Sequence, residues 1–240
     1  MPNIFEVGGK VRDELLGLKS KDVDFAFVLT SEEAEGKSIE QAFEFMRGWM
    51  QEMGFQIFLS TPDCLTIRAK FSNSNQTADF VLARRELSYM PGTRRPIVVP
   101  GSLEDDLQRR DFTVNAIARS EQGELVDLFE GQKDLADKIL RTPLDPMVTL
   151  ADDPLRALRA VRFSVKLGFR MATDLVDALH NPDLPELMAV VSTDRIREEL
   201  AKAMKADTWA TLKLLQQLPE VLVRDWLERP GMWLMPTVKQ

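Results

Sequence analysis

The chain has 240 residues, of which 44% are hydrophobic and 29% are charged, and its formal net charge is −7. This length allows one large or two modest domains, and no apolar run approaches the roughly 20 residues of a membrane helix. A single cysteine, Cys64, and a single histidine, His180, argue against an internal disulfide, a cysteine-based metal site, zinc, and serine–histidine catalysis. The N-terminus lacks the pattern of a signal peptide, so we expect a cytoplasmic protein without a membrane partner.

The first predicted elements are a strand and a helix joined by two glycines. Ile4 to Val7 form an apolar run, Gly8 and Gly9 follow, and residues 10–16 are good helix formers. This layout directs backbone N–H groups and a helix N-terminus at one point, where glycine lets a bulky anion approach the main chain. It indicates a phosphate site, although two successive glycines also occur in ordinary turns.

A second predicted strand begins with two acidic residues, Asp22 and Asp24, and runs on to Leu29. Alternate residues of a strand share a face, so these two carboxylates project to the same side and repel each other. A pair of Mg²⁺ ions bound through carboxylate and phosphate oxygens would remove that repulsion. The alternative is a solvated strand edge.

The region that follows predicts the rest of a mixed sheet with helices. Residues 30–36 predict a polar loop, and residues 38–53 predict a helix with an apolar face. Three strands are predicted at 55–59, 65–71 and 77–82, the last of which contains Asp79.

Residues 83–119 are rich in arginine. Ala83 to Pro100 contains proline and glycine breaks and predicts a mobile loop. Leu103 to Arg119 has helix-compatible spacing, and its residues alone favour a buried ion pair for Arg110 and Asp111. Clustered arginines on an acidic chain suit one nucleotide and one RNA end better than a long duplex.

A short strand at 124–128 and a helix from Gly131 lead to a predicted linker, Arg141 to Thr149, which contains two prolines. Asp152 to Gly168 then predicts one helix with an apolar face and an opposite polar stripe, which is typical of a solvated face with ion pairs. The stripe contains Asp152, Asp153, Arg156, Arg159 and, at its margin, Arg162. Successive short helices are predicted for the remaining residues.

Three of these stretches resemble the motifs of the class II tRNA nucleotidyltransferase and poly(A) polymerase family, and they are most similar to its CCA-adding enzymes. GGKVRDELLG with the later DVD resembles the family signature GGxVRDxLLG and DxD, and RRDFTVNA matches RRDFTxNA. DDPLR followed by LRAVRF resembles EDxxR and LRAxRF, with Asp152 in place of the commoner glutamate.

The resemblance implies a role for each matching residue. It implies that the catalytic carboxylates Asp22 and Asp24 bind the metal ions, and that Asp79, unless it simply faces solvent, is a third carboxylate acting as base. It also implies that Arg110 contacts a phosphate of the nucleotide and that Asp111 and Asn115 contact its ribose. The other residues that the resemblance implies in nucleotide binding are Gly8, Gly9, Arg12, Asp152, Asp153, Arg156, Arg159 and Arg162. Residues 83–100 resemble the family's flexible loop, the alternative being a solvated connector.

Asp153 and Arg156 together offer a way to select the base. A carboxylate accepts from an exocyclic amino group, and a guanidinium donates to a ring nitrogen, so both cytosine and adenine fit. Uracil and guanine place a keto oxygen and a ring N–H at these positions, and such mismatches cost several kcal/mol in a dry site.

We therefore expect an α/β head of the polymerase-beta-like nucleotidyltransferase fold at 1–142, an all-α neck at 143–206, and a helical remnant of a body domain at 207–240. The expected function is addition of C and A to tRNA 3′ ends from CTP and ATP with Mg²⁺. The alternatives are poly(A) polymerase, a CC- or A-adding enzyme, and a non-catalytic nucleotide- or RNA-binding module. Because family members are usually longer, three explanations are open: a minimal enzyme, a piece of a longer protein, or a chain that gains a tRNA surface by dimerising.

Overall fold

The computed structural model describes residues 1–20, 23–71, 76–89 and 96–232. The chain divides into two compact units, Met1–Leu135 and Ala136–Gln240. Asp22 and residues 90–95 of the predicted loop lie outside the described residues. Within the described ranges, no helix combines the length and the apolar composition needed to cross a bilayer.

The first unit contains a mixed β-sheet flanked by helices, which confirms the predicted fold class. Its described strands are β1 (Asn3–Val7), β2 (Asp24–Val28), β3 (Gln56–Thr61), β4 (Thr66–Lys70), β5 (Thr77–Leu82), β6 (Arg84–Tyr89), β7 (Pro96–Pro100), β8 (Ile117–Arg119) and β9 (Leu125–Asp127). Its described helices are α1 (Gly9–Leu15), α2 (Ser31–Ala34), α3 (Ile39–Glu52), α4 (Leu103–Gln108) and α5 (Gly131–Asp137), the last of which continues into the second unit.

The main sheet has the strand order β3-β4-β5-β2-β1-β8-β9. β2 and β5 run parallel, whereas the other neighbouring strands run antiparallel. Phe27 of β2 packs with Met46 of α3 on one face, and Ala26 packs with Leu107 of α4 on the other. Both faces of β2 pack against helices, so the strand residues after Asp24 are apolar on both faces. Asp24 lies at the end of the strand, where the residues are only partly buried.

The second unit is mainly helical, as predicted for the neck. Its described helices are α6 (Pro146–Asp152), α7 (Arg156–Leu167), α8 (Thr173–Leu179), α9 (Leu184–Met188), α10 (Thr193–Ala206), α11 (Thr208–Leu215) and α12 (Glu220–Leu227). A short parallel pair, β10 (Ile139–Leu140) and β11 (Arg170–Met171), accompanies them. The helices share one apolar core, which includes Leu158, Leu200 and the fully buried Trp226.

The two compact units divide between Leu135 and Ala136, whereas the sequence analysis expected a domain boundary after residue 142. β10 pairs with β11 within the second unit, and the domain bounds expected from sequence stay a prediction. Leu215 of α11 and Trp226 of α12 lie in the same core as Leu158 of α7. Within the described residues, α11 and α12 therefore contribute to the core of the second unit.

Two segments predicted as loops contain regular structure. Within 83–100, β6 and β7 pair in antiparallel register, with Arg84 opposite Pro100. The prediction of a loop was wrong there because strand pairing satisfies backbone groups despite the flanking prolines. Within 30–36, Thr30 caps α2, since its hydroxyl accepts from the Glu33 amide at 3.3 Å while the Glu33 carboxylate accepts from the Thr30 amide at 2.9 Å.

The helix predicted over 103–119 ends early. α4 stops at Gln108, and a short 3₁₀ turn and β8 follow. The Asp111 carboxylate accepts from the Phe112 amide at 2.9 Å and from Asn115 Nδ2 at 2.8 Å. Short polar side chains that bond nearby groups in this way compete with helix formation.

The helix predicted over 152–168 begins later than expected, because Asp152 is the last residue of α6 and α7 spans only Arg156–Leu167. Asp153 has φ −142° and ψ 96°, the extended conformation favoured for a residue that precedes proline. Pro154 follows, and α7 begins only at Arg156. The predicted linker at 141–149 also contains the start of α6, where Asp145 caps the helix by accepting from the Met147 amide at 2.8 Å, and Pro146 occupies the first turn.

Candidate active site

The predicted phosphate turn lies between β1 and α1. Gly8 has φ 77° and ψ −137°, a conformation that side-chain-bearing residues rarely adopt, and α1 has no side-chain cap at its N-terminus. Gly8 is buried, whereas Gly9 is partly exposed. A Cβ atom on Gly8 would lie 3.0 Å from Nη1 of Arg110 and 3.8 Å from Oδ2 of Asp24. The turn is therefore flanked by a guanidinium and a carboxylate that are distant in sequence.

Arg12, Asn115 and Asp111 form one hydrogen-bonded chain. Nη1 of Arg12 donates to Oδ1 of Asn115 at 2.5 Å, and Nδ2 of Asn115 donates to Oδ1 of Asp111 at 2.8 Å. All three side chains are buried. Asp13 accepts from Nε of Arg12 at 2.8 Å, so the guanidinium has protein partners on two sides. These contacts give Arg12 a part in orienting Asn115, and direct nucleotide contact by Arg12 stays a prediction.

Arg110 is held by Asp106, a residue that the sequence analysis missed. Oδ2 of Asp106 accepts from Nε of Arg110 at 3.1 Å and from Nη2 at 2.7 Å. Its other oxygen accepts from Nη2 of Arg109 at 3.4 Å. The sequence signal was the placement of one acidic residue three and four positions before two arginines, a spacing that brings side chains together on a helix.

Asp106 is 1% exposed and remains charged because of these arginines. Burial by itself would raise the pKa of its carboxyl, but Arg110 and Arg109 outweigh that effect and hold the pKa below its ordinary value. Since the folded-state pKa is depressed, the charged group stabilises the fold at neutral pH. This stabilisation is lost as the pH falls from the pKa that the Asp106 carboxyl has in the unfolded chain through its lower pKa in the folded protein.

Asp24 and Asp79 are neighbours in the parallel register of β2 and β5. Asp79 accepts from Nε of Arg68 at 2.6 Å and from Nη2 at 2.5 Å, a bidentate pair on the sheet surface. Each carboxylate oxygen of Asp79 therefore already accepts a hydrogen bond from Arg68, as in a structural ion pair. A general base would need one of these oxygens to accept the substrate proton. The role of Asp79 as base stays a prediction, as does metal binding by Asp22 and Asp24.

The described residues contain no group of three carboxylate, imidazole or thiol side chains placed to hold a metal ion. Asp22, which the sequence places two residues before Asp24, lies outside the described residues. The oxygen of Asp24 at the Gly8 turn is a hard donor, as a divalent cation such as Mg²⁺ requires. The Asp24 carboxylate beside the glycine turn thus fits such an ion, and a second carboxylate from Asp22 stays a prediction.

In the second unit, Asp153 and Arg156 flank the break between α6 and α7. Oδ1 of Asp153 accepts from the Leu155 amide at 3.2 Å, and Oδ2 lies 3.4 Å from Nη2 of Arg195. Nη1 of Arg156 donates to the Thr149 carbonyl at 3.0 Å. Both side chains are partly exposed, so polar edges of this pair face solvent. Asp152 ends α6 and is exposed.

The other two arginines of the stripe pack around Phe163. The guanidinium carbons of Arg159 and Arg162 lie 5.5 Å and 4.1 Å from the ring centroid. Nε of Arg162 donates to Oε2 of Glu199 on α10 at 2.6 Å, and Glu199 is 5% exposed. These contacts make Arg162 part of the packing between α7 and α10, and nucleotide contact by either arginine stays a prediction.

We expect Gly8→Ala to weaken triphosphate binding by roughly tenfold, because the new methyl group would crowd Nη1 of Arg110, whose charge-assisted bonds are worth about 1.5–3 kcal/mol. Titration of ATP into each purified variant measures the effect. Gly17→Ala is the matched control, because Gly17 also has a positive φ, 71°, but has open space around its Cβ position. Unchanged ATP affinity in Gly8→Ala would contradict the placement of Arg110 at the phosphates.

Residues 4–141 match the sequence family described as the poly A polymerase head domain. This match covers more than half of the chain and includes β1, the glycine turn and the Asp106–Asn115 region described above. The chain therefore belongs to the poly A polymerase head domain family.

Individual relatives extend the likeness beyond the head. The A-adding tRNA nucleotidyltransferase of Aquifex aeolicus (strain VF5) is 36% identical over 220 residues, covering 90% of this chain and 25% of that protein. A CCA-adding enzyme of Leuconostoc mesenteroides is 32% identical over 232 residues, covering 92% of this chain and 52% of that protein. The crystal structure of Bacillus stearothermophilus CCA-adding enzyme in complex with CTP aligns with a TM-score of 0.72 and 28% identity, covering 97% of this chain and 51% of that one. The chain thus spans about a quarter to half the length of these proteins.

Proposed function

We propose that this chain is a cytoplasmic RNA nucleotidyltransferase that adds C and A to the 3′ end of tRNA from CTP and ATP. The observation that supports this most is the convergence of Arg110 and Asp24 on the Gly8 turn. A cation for the triphosphate and a carboxylate for a metal ion, placed at one backbone turn, are the parts that nucleotidyl transfer requires.

Within the first unit, each side chain has a distinct task in this proposal. Arg110 binds the triphosphate, and the partly exposed Gly9 allows phosphate oxygens to approach the main chain. Asp111 and Asn115 orient the ribose hydroxyls, since a carboxylate accepts and an amide both donates and accepts. Arg12 holds Asn115 in place for this contact.

Asp24, together with Asp22, is proposed to hold Mg²⁺. When bound, this ion supplies Lewis-acid stabilisation of charge on phosphate oxygens. In the reaction, the RNA 3′-hydroxyl oxygen forms a bond to the α-phosphorus of the nucleotide, and the bond to the pyrophosphate oxygen breaks. The hydroxyl proton is released, and pyrophosphate leaves with the electron pair.

The second unit is proposed to select the base through Asp153 and Arg156. Their donor and acceptor groups suit cytosine and adenine and mismatch uracil and guanine. In the described contacts, Arg195 approaches Oδ2 of Asp153 and the Thr149 carbonyl accepts from Nη1 of Arg156. Asp153 thus lies in the break before α7, and Arg156 is the first residue of that helix.

The names of the relatives support tRNA as the substrate, and they also define the rival activities. The Aquifex protein is named for adding A alone, whereas the Leuconostoc protein is named for adding CCA. A poly(A) polymerase is a second rival within the same head family. A binding module without catalysis is the rival of another class, and the placement of both Asp24 and Arg110 beside the Gly8 turn disfavours it.

The test uses the purified chain, Mg²⁺, and three tRNA transcripts that end before CCA, after the first C, and after CC. Each transcript is incubated with each labelled nucleoside triphosphate, and the products are sequenced. We expect C on the first two transcripts and A on the third, with addition stopping after three nucleotides. Addition of A alone supports the A-adding activity, and long A tails support poly(A) polymerase. No incorporation in any reaction that contains Mg²⁺ would contradict catalysis by this chain.

A further inference from the structure

We propose that Asp106 is a positioning residue that aims Arg110 at the triphosphate. This role deepens the proposed function and rests on it. Asp106 lies on the buried side of α4, four residues before Arg110, and its own carboxylate is too buried to contact a nucleotide. Its effect on binding must therefore pass through the side chains that it holds.

The geometry selects one guanidinium nitrogen for the ligand. A single oxygen of Asp106 accepts from both Nε and Nη2 of Arg110, at 3.1 and 2.7 Å. The guanidinium is planar and rigid, so two bonds on one edge determine the direction of the third nitrogen. That nitrogen, Nη1, is the atom that lies 3.0 Å from the Cβ position of Gly8.

The second oxygen of Asp106 keeps the carboxylate itself in place. Oδ1 accepts from Nη2 of Arg109 at 3.4 Å. Arg109 is in turn within electrostatic range of Arg84 and Glu86 at the base of the β6–β7 hairpin. Asp106 thus stands between two arginines that would otherwise repel each other, and the group of three retains one net positive charge toward an anion.

Lysine or a rotated arginine would not produce the same arrangement. An ammonium is a point charge without a rigid edge, and an unpaired arginine samples many rotamers. Preorganising the donor before the ligand arrives lowers the cost of binding. We infer that Asp106 and Arg110 act as one unit toward the phosphates, whereas Asp106 and Arg109 do not.

A double-mutant cycle tests this inference by measuring equilibrium binding of ATP and of inorganic tripolyphosphate, each with the full chain and without RNA. We expect Asp106→Asn and Arg110→Gln each to weaken binding by roughly tenfold, since charge-assisted hydrogen bonds of this kind are involved. The double variant should bind about as weakly as Arg110→Gln alone. In an Arg109→Gln background, Asp106→Asn should retain its full effect. Glu104→Gln is the control, because it removes an exposed charge from the same helix.

The outcomes separate this inference from the proposed function. If Arg110→Gln binds both ligands like the unchanged chain, the triphosphate site of the proposed function is wrong. If Arg110→Gln weakens binding but Asp106→Asn does not, or if the two losses multiply in the double variant, the positioning role is overturned. If Asp106→Asn lacks a cooperative thermal transition, Asp106→Glu replaces it in the same cycle. This variant keeps the charge and displaces the guanidinium, and wild-type binding by it would also overturn the role.

Discussion

Replacing Asp24 by asparagine is expected to lower the rate of nucleotidyl transfer by about a thousandfold or more, because metal-ion catalysis supplies several kcal/mol and each 1.4 kcal/mol is about tenfold. Asparagine has nearly the same shape but carries no charge, and Asp24 itself is partly exposed at the end of β2. The fold should therefore tolerate the change. The measurement is single-turnover transfer of labelled CMP to a tRNA transcript at saturating CTP and Mg²⁺.

Glu44→Gln provides the matched control for this experiment. Glu44 lies on α3 of the same unit, is exposed, and pairs with Arg47, so the variant loses one charge far from the turn. Its rate should match that of the unchanged chain. If Asp24→Asn retains more than about a tenth of the original rate while its thermal transition is unchanged, Asp24 does not hold a catalytic metal ion.

The largest loss of stability is expected from Gly131→Ala at the start of α5. A Cβ atom there would overlap the Thr113 carbonyl oxygen and approach Cγ1 of Ile117 at 2.7 Å. The contact with backbone cannot be relieved by a rotamer change, so α5 must move away from the turn at 113–115. Overpacking of this kind typically costs about 1–3 kcal/mol, and backbone contact places this variant at or above the upper end.

This displacement should also affect the site. Asp127 caps α5 by accepting from the Gly131 amide at 2.7 Å, and Thr113 donates to the buried Asp134 at 2.7 Å. Moving α5 therefore strains the segment that carries Asn115. Urea unfolding of the two variants Gly131→Ala and Gly48→Ala measures the difference, because Gly48 lies within α3 with open space at its Cβ position.

Gly48→Ala should raise stability by about 0.5–1 kcal/mol, the usual gain in a helix interior. An unfolding midpoint for Gly131→Ala equal to that of the unchanged chain would show that α5 does not pack on the turn as described.

Local pattern predicted many of the elements well. The alternating residues of β5 were predicted with the observed bounds, Thr77–Leu82, and the apolar spacing of α3 was predicted to within one residue at each end. These elements follow from backbone periodicity and from caps such as Ser38, which act over three or four residues. The antiparallel pair of β6 and β7 was missed because its stability comes from cross-strand pairing, which a single segment does not reveal.

The sequence also identified the motif residues, but it did not show which side chains they contact. Asp111 and Asn115 were expected to lie near a ribose, and the structure places them in one buried chain with Arg12. Asp106 and Glu199 were missed because each acts on another side chain and has no distinctive motif of its own. The resemblance assigned Arg162 to the nucleotide, which stays a prediction, and the structure adds an ion pair between Arg162 and Glu199.

The sequence by itself determined the mixed α/β head and the helical region after it, because periodicity and capping act over a few residues. Through its motifs it also predicted which residues bind phosphate, metal and base. Only the tertiary structure decided that Arg110 and Asp24 meet at the Gly8 turn, and that Asp24 and Asp79 are neighbours. The physical reason is that contacts between distant segments depend on strand order and on packing summed over a whole unit.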